Sequence, residues 1–234
     1  MNEIILHVEH LSKSYGSFKA IEDMSFDLPA GRIVGLMGPN GSGKTTLIKI
    51  AAGLLKKYNG TVQICGIDPS TETKKLVSYL PERTYLDDGK KVAECLDYFA
   101  DFYEDFDRAR ALEMLNLLGV DPQKIVKTLS KGTKEKLQLV LVMSRRARLY
   151  LLDEPIAGVD PAARDYILNT IIANYEPNAT ILISTHLIYD VEPILDDYVF
   201  IRDGKVLMAG VVDDLRAKYE KSLDQVFREV FRCY

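Results

Sequence analysis

The stretch GRIVGLMGPNGSGKTT, residues 31–46, constrains this chain more tightly than any other. Its apolar start reads as a buried strand. The next residues, Gly38 to Thr45, fit G-x-x-x-x-G-K-[ST], and KTTLIKIAAGLL then sets Leu47, Ile50, Ala51 and Leu54 at helical spacing. Glycines let the backbone curl so that several N–H groups converge on an anion. A helix starting near Lys44 adds its positive end. In such a loop the lysine reaches the outer phosphates of a nucleotide, and the hydroxyl at Thr45 serves Mg²⁺. The candidate nucleotide-binding set is Gly38, Pro39, Asn40, Gly41, Ser42, Gly43, Lys44, Thr45 and Thr46.

The rest of the chain alternates in the same way. IILHVEHLSKSYG and AIEDMSFDLPAG read as short strands, as does GTVQICG. RLYLLDEP and ATILISTH are buried-type strands that end in polar residues. DYVFIRDGKVLMAG carries an Asp-Gly hairpin signal. A helix is expected from Thr133 to about Arg146, and another over the last twenty residues. Strands alternating with helices imply an α/β core with a mainly parallel sheet. The aromatic, helical stretch 84–129 reads as an inserted subdomain, so the expected division is a catalytic core of 1–83 and 130–234 around it. Tyr85, Tyr98, Phe99, Phe102, Tyr103 and Phe106 are expected mostly as a small aromatic core, with a subset lining a groove. Leu223, Val226, Phe227, Val230 and Phe231 at helical spacing are expected to pack on their own domain.

Ligands of open α/β sheets bind at the carboxyl ends of strands. LYLLDEP places Asp153 and Glu154 at such an end, Asp153 as the metal-side carboxylate and Glu154 as the group that polarises an attacking water. His186, closing ILISTH, is a candidate γ-phosphate sensor. TLSKGTKEKLQL, residues 128–139, could be a solvated basic helix start or an anion-receiving one.

Composition narrows the classes. With 47% hydrophobic and 27% charged residues, this is an ordinary globular chain, and a net charge of −4 excludes nucleic-acid binding driven by bulk charge. Cys65, Cys95 and Cys233 are too scattered for a zinc or disulfide framework, which fits a reducing compartment. MNEIILHVEH has no basic n-region, so no secretory signal is expected, and no apolar run approaches the roughly 18 residues of a membrane span. Work at a membrane would need another chain to cross it.

The motifs and their order, GPNGSGKTT, LSKGT, LLDEP, AGVD and STH, resemble the ATP-binding cassette family, specifically the nucleotide-binding subunits of transporters. The interval between Lys44 and Asp153 suits a compact cassette and leaves no room for the long coiled coils of the chromosome-maintenance and repair relatives. The resemblance implies a P-loop NTPase fold with a mainly parallel core sheet, an N-terminal antiparallel β subdomain and the inserted helical subdomain. It implies ATP hydrolysis with Mg²⁺. Catalytic roles fall to Glu154, His186 and Lys44, and metal-side roles to Thr45, Asp153 and Glu82. Tyr15 in KSYG is implied to stack on adenine and Asp160 to lie on a loop at a dimer interface. Ser130, Lys131, Gly132 and Thr133 are implied to grip the ATP held by an opposite subunit.

The chain departs from the family pattern at three of these positions. Glu82 in YLPER stands where the family usually has glutamine. In LSKGT, Lys131 replaces a glycine and Thr133 a glutamine, while Ser130, Gly132 and the helix end are kept; Lys131 is expected to point to solvent. The implied partners are a second nucleotide-binding subunit, identical or not, and a multi-span membrane permease, with no nucleic acid. The implied location is cytoplasmic, on the inner face of the membrane. YLPER and LSKG look like the branch that exports drugs, antibiotic peptides or lipids. A soluble ATPase switch of the same superfamily is the alternative.

Overall fold

The computed structural model describes residues 3–157 and 159–232. β1 (Ile4–Tyr15) and β2 (Phe18–Pro29) form a hairpin, and β3 (Ile33–Met37) feeds α1 (Lys44–Ala51). β4 (Asn59–Ile64), α2 (Thr71–Leu76) and β5 (Val77–Leu80) follow. The aromatic stretch folds as α3 (Val92–Phe102), α4 (Arg108–Leu117) and a 3₁₀ turn. Then come α5 (Lys131–Met143), β6 (Leu149–Asp153), α6 (Pro161–Ala173), β7 (Thr180–Thr185) and α7 (Ile188–Val191). β8 (Asp197–Arg202), β9 (Lys205–Val211), α8 (Val212–Tyr219) and α9 (Leu223–Val230) end the fold.

The strands make two sheets, an antiparallel one in the order β2-β1-β4 and a larger one in the order β5-β6-β7-β3-β8-β9. From β5 to β8 every neighbour is parallel, and only β9 runs against the rest. Both faces of the larger sheet are covered at its centre, which is why β3, β6 and β7 are buried along their whole length rather than alternating. Val34, Leu36, Leu149 and Leu151 face the smaller sheet and α1. Ile33, Met37, Tyr150 and Leu152 face the layer built by α3 to α6 and the C-terminal helices. The Asp-Gly signal is borne out: Asp203 and Gly204 both adopt positive φ, 50° and 75°, in the β8–β9 turn, the backbone that a two-residue hairpin of this twist requires.

Two expectations change in detail and a third holds. α5 starts at Lys131 rather than Thr133, because Ser130 caps it by accepting from Thr133 N–H at 3.2 Å, and it stops at Met143. The aromatic stretch is only partly a core. Phe99 is buried and Tyr103 and Phe106 pack on it, whereas Tyr85, Tyr98 and Phe102 are exposed. The C-terminal segment does pack on its own domain, with the Phe227 and Phe231 rings edge-on to Phe200 at 5.3 and 5.9 Å; Cys233 lies outside the described residues.

Candidate active site

Strand order assembles the site. β5, β6, β7 and β3 are neighbours and parallel, so their carboxyl ends open at one edge. Asp153 pairs in register with Ser184, and Met37 with Thr185. Residues far apart in sequence thereby meet: Glu82 beyond β5, Asp153 and Glu154 at the end of β6, His186 beyond β7, and Gly38 to Lys44 beyond β3. A cleft of about 390 Å³ opens there, lined by Asn40, Gly41, Gly43, Lys44, Thr45, Thr46, Glu82, Glu154 and His186, with Asp153 buried behind it.

The loop needs its glycines for two different reasons. A Cβ on Gly38 would sit 2.2 Å from the Ile201 carbonyl oxygen, so the loop lies flat against β8 only without a side chain. Gly43 holds φ at 105°, and a Cβ there would come 2.5 Å from the Ala20 carbonyl oxygen. The β8–β9 turn braces the loop from behind, where Gly204 N–H donates to Ser42 O at 3.2 Å. Lys44 folds back, its Nζ donating to Gly38 O at 2.7 Å and Pro39 O at 3.1 Å. Burial lowers its pKa, and the carboxylates of Glu154 and Asp153 pull the other way. A buried cation held by two carbonyls is poised to exchange them for phosphate oxygens.

Asp153 is buried. Its Oδ1 accepts from Ser184 Oγ at 2.5 Å and from Thr45 Oγ1 at 3.2 Å. Its Oδ2 is buried with no hydrogen-bond partner. Burial raises the carboxyl pKa, against those two hydroxyl bonds. A desolvated carboxylate oxygen with an open coordination position, beside a hydroxyl at the start of α1, fits a hard cation such as Mg²⁺. That ion binds through one or two protein oxygens plus substrate phosphates rather than in an all-protein cage.

Glu154 sits just past the strand in the left-handed region, φ 55°, which costs a non-glycine residue roughly 1–2 kcal/mol. Its N–H donates to Ser184 O at 3.0 Å, which pins the turn. The strain turns the carboxylate into the cleft, where Oε2 lies 2.9 Å from His186 Nδ1. The Glu154 side chain is 11% exposed and that of His186 53%. One partner is thus largely buried and the other half exposed.

The β1–β2 hairpin supplies the outer wall. Tyr15, expected from the sequence, lines the cleft, and so do Phe18, Ala20 and Ala157, which the sequence reading missed. Phe18 had a readable signal, since an exposed aromatic directly after a glycine turn has little reason to be there for packing. The segment 130–133 lies outside the cleft lining. Ser130, Lys131 and Gly132 are exposed on the free N-terminus of α5, with the Ser130 and Thr133 hydroxyls 2.8 Å apart. Lys131 is 81% exposed and only 3.8 Å from Glu135, in accord with a solvent-facing side chain. Asp160, ahead of α6, is likewise exposed and not part of the cleft lining.

A family profile described as ABC transporter matches residues 21–157, which carry the loop, Glu82, the α5 start, Asp153 and Glu154. The chain belongs to the ABC transporter family. It is 37% identical to the uncharacterized ABC transporter ATP-binding protein YdbJ of Bacillus subtilis (strain 168), over 97% of this chain and 75% of that one. It is 31% identical to the SkfA peptide export ATP-binding protein SkfE of the same organism, over 87% of each. A solved ATP-binding subunit of an ABC transporter superposes with a TM-score of 0.87 at 30% identity, covering 97% of this chain and all of that one. This ABC protein is therefore an ATP-binding subunit of a transporter and an ATPase. Among the described residues no helix is long and apolar enough to cross a membrane.

Proposed function

We propose that this ATPase powers a membrane exporter by closing head to tail on a second cassette, with ATP held between them. One observation carries the reading. The cleft gathers Lys44, Thr45, Glu154 and His186, while the Ser130 helix end is exposed and lies outside its lining. A serine hydroxyl, free N–H groups and a helix dipole have the chemistry to hold a phosphate, and their place outside this chain's own cleft supports a phosphate presented by a second subunit.

In this scheme Tyr15 stacks on adenine and Gly38 to Thr46 wrap the phosphates. Thr45 and Asp153, with Glu82 at the rim, hold Mg²⁺, which neutralises charge on the phosphate oxygens when bound. Phosphoryl transfer asks a protein mainly for positioning and charge stabilisation. Glu154 orients a water in line with the γ-phosphate, His186 swings from Glu154 to the phosphate, and Lys44 stabilises the developing charge. Across the interface, Ser130, Lys131, Gly132 and Thr133 close the site and Asp160 lines the contact. Core residues 1–83 and 130–234 do this work, and 84–129 is the subdomain that meets a multi-span permease at the inner membrane face. Export is favoured by the likeness to a peptide-export subunit. Mild-detergent purification of the tagged chain from native membranes tests the assignment. The expected result is a multi-span protein in stoichiometric amount, and recovery of the chain alone would refute it.

A further inference from the structure

Glu154 and His186 meet in the cleft, but they stand on separate pieces of chain. Glu154 opens the segment between β6 and α6, and His186 opens the one between β7 and α7. The pairing of β6 with β7 ends at Asp153 and Ser184. Among the described residues, the last backbone bond between the two pieces is Glu154 N–H to Ser184 O. Beyond it a side chain makes the join. Arg164, near the start of α6, donates from Nε to Val159 O at 3.2 Å and from Nη1 to Asp190 Oδ2 at 2.7 Å. Val159 directly precedes Asp160, and Asp190 lies in α7, downstream of His186. The Arg164 and Asp190 side chains are 21% and 27% exposed, so water screens the pair only in part.

These contacts close a ring: Glu154 along the chain to Val159, across Arg164 to Asp190, back through α7 to His186, and over to Glu154. One contact between two segments is a hinge, whereas two fix an angle. Within the ring α7 is the platform. Its Ile188 and Val191 are buried in the core, and Glu192, the next residue, is buried too. Glu192 accepts from Arg216 Nε at 3.1 Å and from the Leu223 and Asp224 N–H groups at 2.9 and 3.2 Å, which ties α7 to α8 and α9. The Glu154 segment has only short turns of its own, Ala157 N–H to Glu154 O and Val159 N–H to Ile156 O. It is the piece that needs holding.

We propose that Arg164 is a positioning residue for ATP hydrolysis: by joining the Val159 carbonyl to Asp190, it holds the segment that carries Glu154 in register with His186. Arg164 is not part of the cleft lining, so it acts through the residues it ties. The inference rests on the roles proposed above for Glu154 and His186. Catalysis by orientation is lost over displacements of about 1 Å, so a second tie behind the cleft has a direct effect on rate. A guanidinium suits the task, because its planar fork sends two donors in fixed directions. A lysine reaches the carboxylate as a point charge and lacks that fork.

The test uses the full chain and three readouts: steady-state ATPase rate, affinity for a fluorescent ATP analogue, and the ring resonances of His186 in histidine-labelled, nucleotide-free protein. The chain has three histidines, so His186→Ala assigns the signal. Arg164→Met should lower kcat by about tenfold, leave analogue affinity within about twofold, and shift the His186 resonances. Asp190→Asn should do the same, and the double variant should be no slower than either single one, because both remove one join. Arg164→Lys should keep part of the rate. Arg32→Met is the control. It breaks a similar pair, Nε to Asp197 Oδ2 at 3.0 Å, at the opposite end of the strands, and should lower Tm without moving kcat or the His186 signal. Equal rate losses in Arg32→Met and Arg164→Met, additive losses in the double variant, or an unmoved His186 signal overturns the inference. Full turnover in His186→Ala removes the role proposed for His186 and this inference with it. An inactive His186→Ala beside an Arg164→Met that turns over at the wild-type rate removes this inference alone.

Discussion

Replacing Arg145 with methionine should cost the fold about 3 kcal/mol. Arg145 follows α5 and is only 2% exposed. Its guanidinium grips Asp105 through two bonds, Nε to Oδ1 at 3.0 Å and Nη2 to Oδ2 at 3.1 Å. It also donates to Val77 O at 2.5 Å and Lys75 O at 2.8 Å, and lies 3.8 Å over the Tyr103 ring. One side chain therefore ties the end of α3, the start of β5 and the end of α5. Methionine keeps the stem's packing but leaves a carboxylate and two carbonyls without their donor. Breaking a buried pair costs about 3–5 kcal/mol, and the lower figure applies because the Asp105 side chain is 25% exposed and can rehydrate. For a chain of this length that is a Tm lower by about 6–12 °C. Thermal unfolding of the nucleotide-free protein, followed by circular dichroism, measures it. Arg145→Lys, which keeps charge but not the planar fork, should fall between. A methionine variant within about 1 °C of wild type would refute the reasoning.

Asp153→Asn should raise the Tm of the nucleotide-free protein while removing the extra stabilisation that Mg²⁺-ATP gives over ATP alone. Burial raises the Asp153 carboxyl above its ordinary value, so wild type loses stability as pH climbs from the unfolded pKa of about 3.9 through the higher folded one, and the amide escapes that loss; a melting series across pH checks both signs. Mixing Lys44→Met with Ser130→Arg, each inactive alone, should restore about a quarter of wild-type ATPase activity, because half of the random dimers hold one intact composite site. A mixture as silent as its components would mean that the lysine and serine do not act on one ATP from two chains.

Legibility in the sequence followed the length of the signal. The loop, the carboxylates at the end of β6 and the histidine after β7 were readable because each closes a strand with an apolar run at its centre, and only strand ends of a covered parallel sheet place polar residues so reproducibly. β5, with four residues, and α2, with six, are too short for a period to emerge, although Ser70 and Thr73 form a capping box at α2. The orphaned Asp153 Oδ2 and the strained backbone at Glu154 depend on how strands pair across more than thirty residues. The aromatic stretch was half legible. The spacing of Tyr98, Phe99 and Phe102 announced an aromatic helix, but which rings face inward depends on α4 and α5, whose packing no local pattern records.

The most direct measurement of the central claim is the oligomeric state of Glu154→Gln in ATP. The amide keeps the size of the side chain and the contact with His186 but loses the charge that polarises water. By analytical ultracentrifugation the variant should be monomeric without nucleotide and dimeric with ATP, while its turnover falls at least about a hundredfold. A variant that hydrolyses ATP near the wild-type rate, or stays monomeric in saturating ATP, would contradict both the role of Glu154 and the closure of two cassettes around ATP.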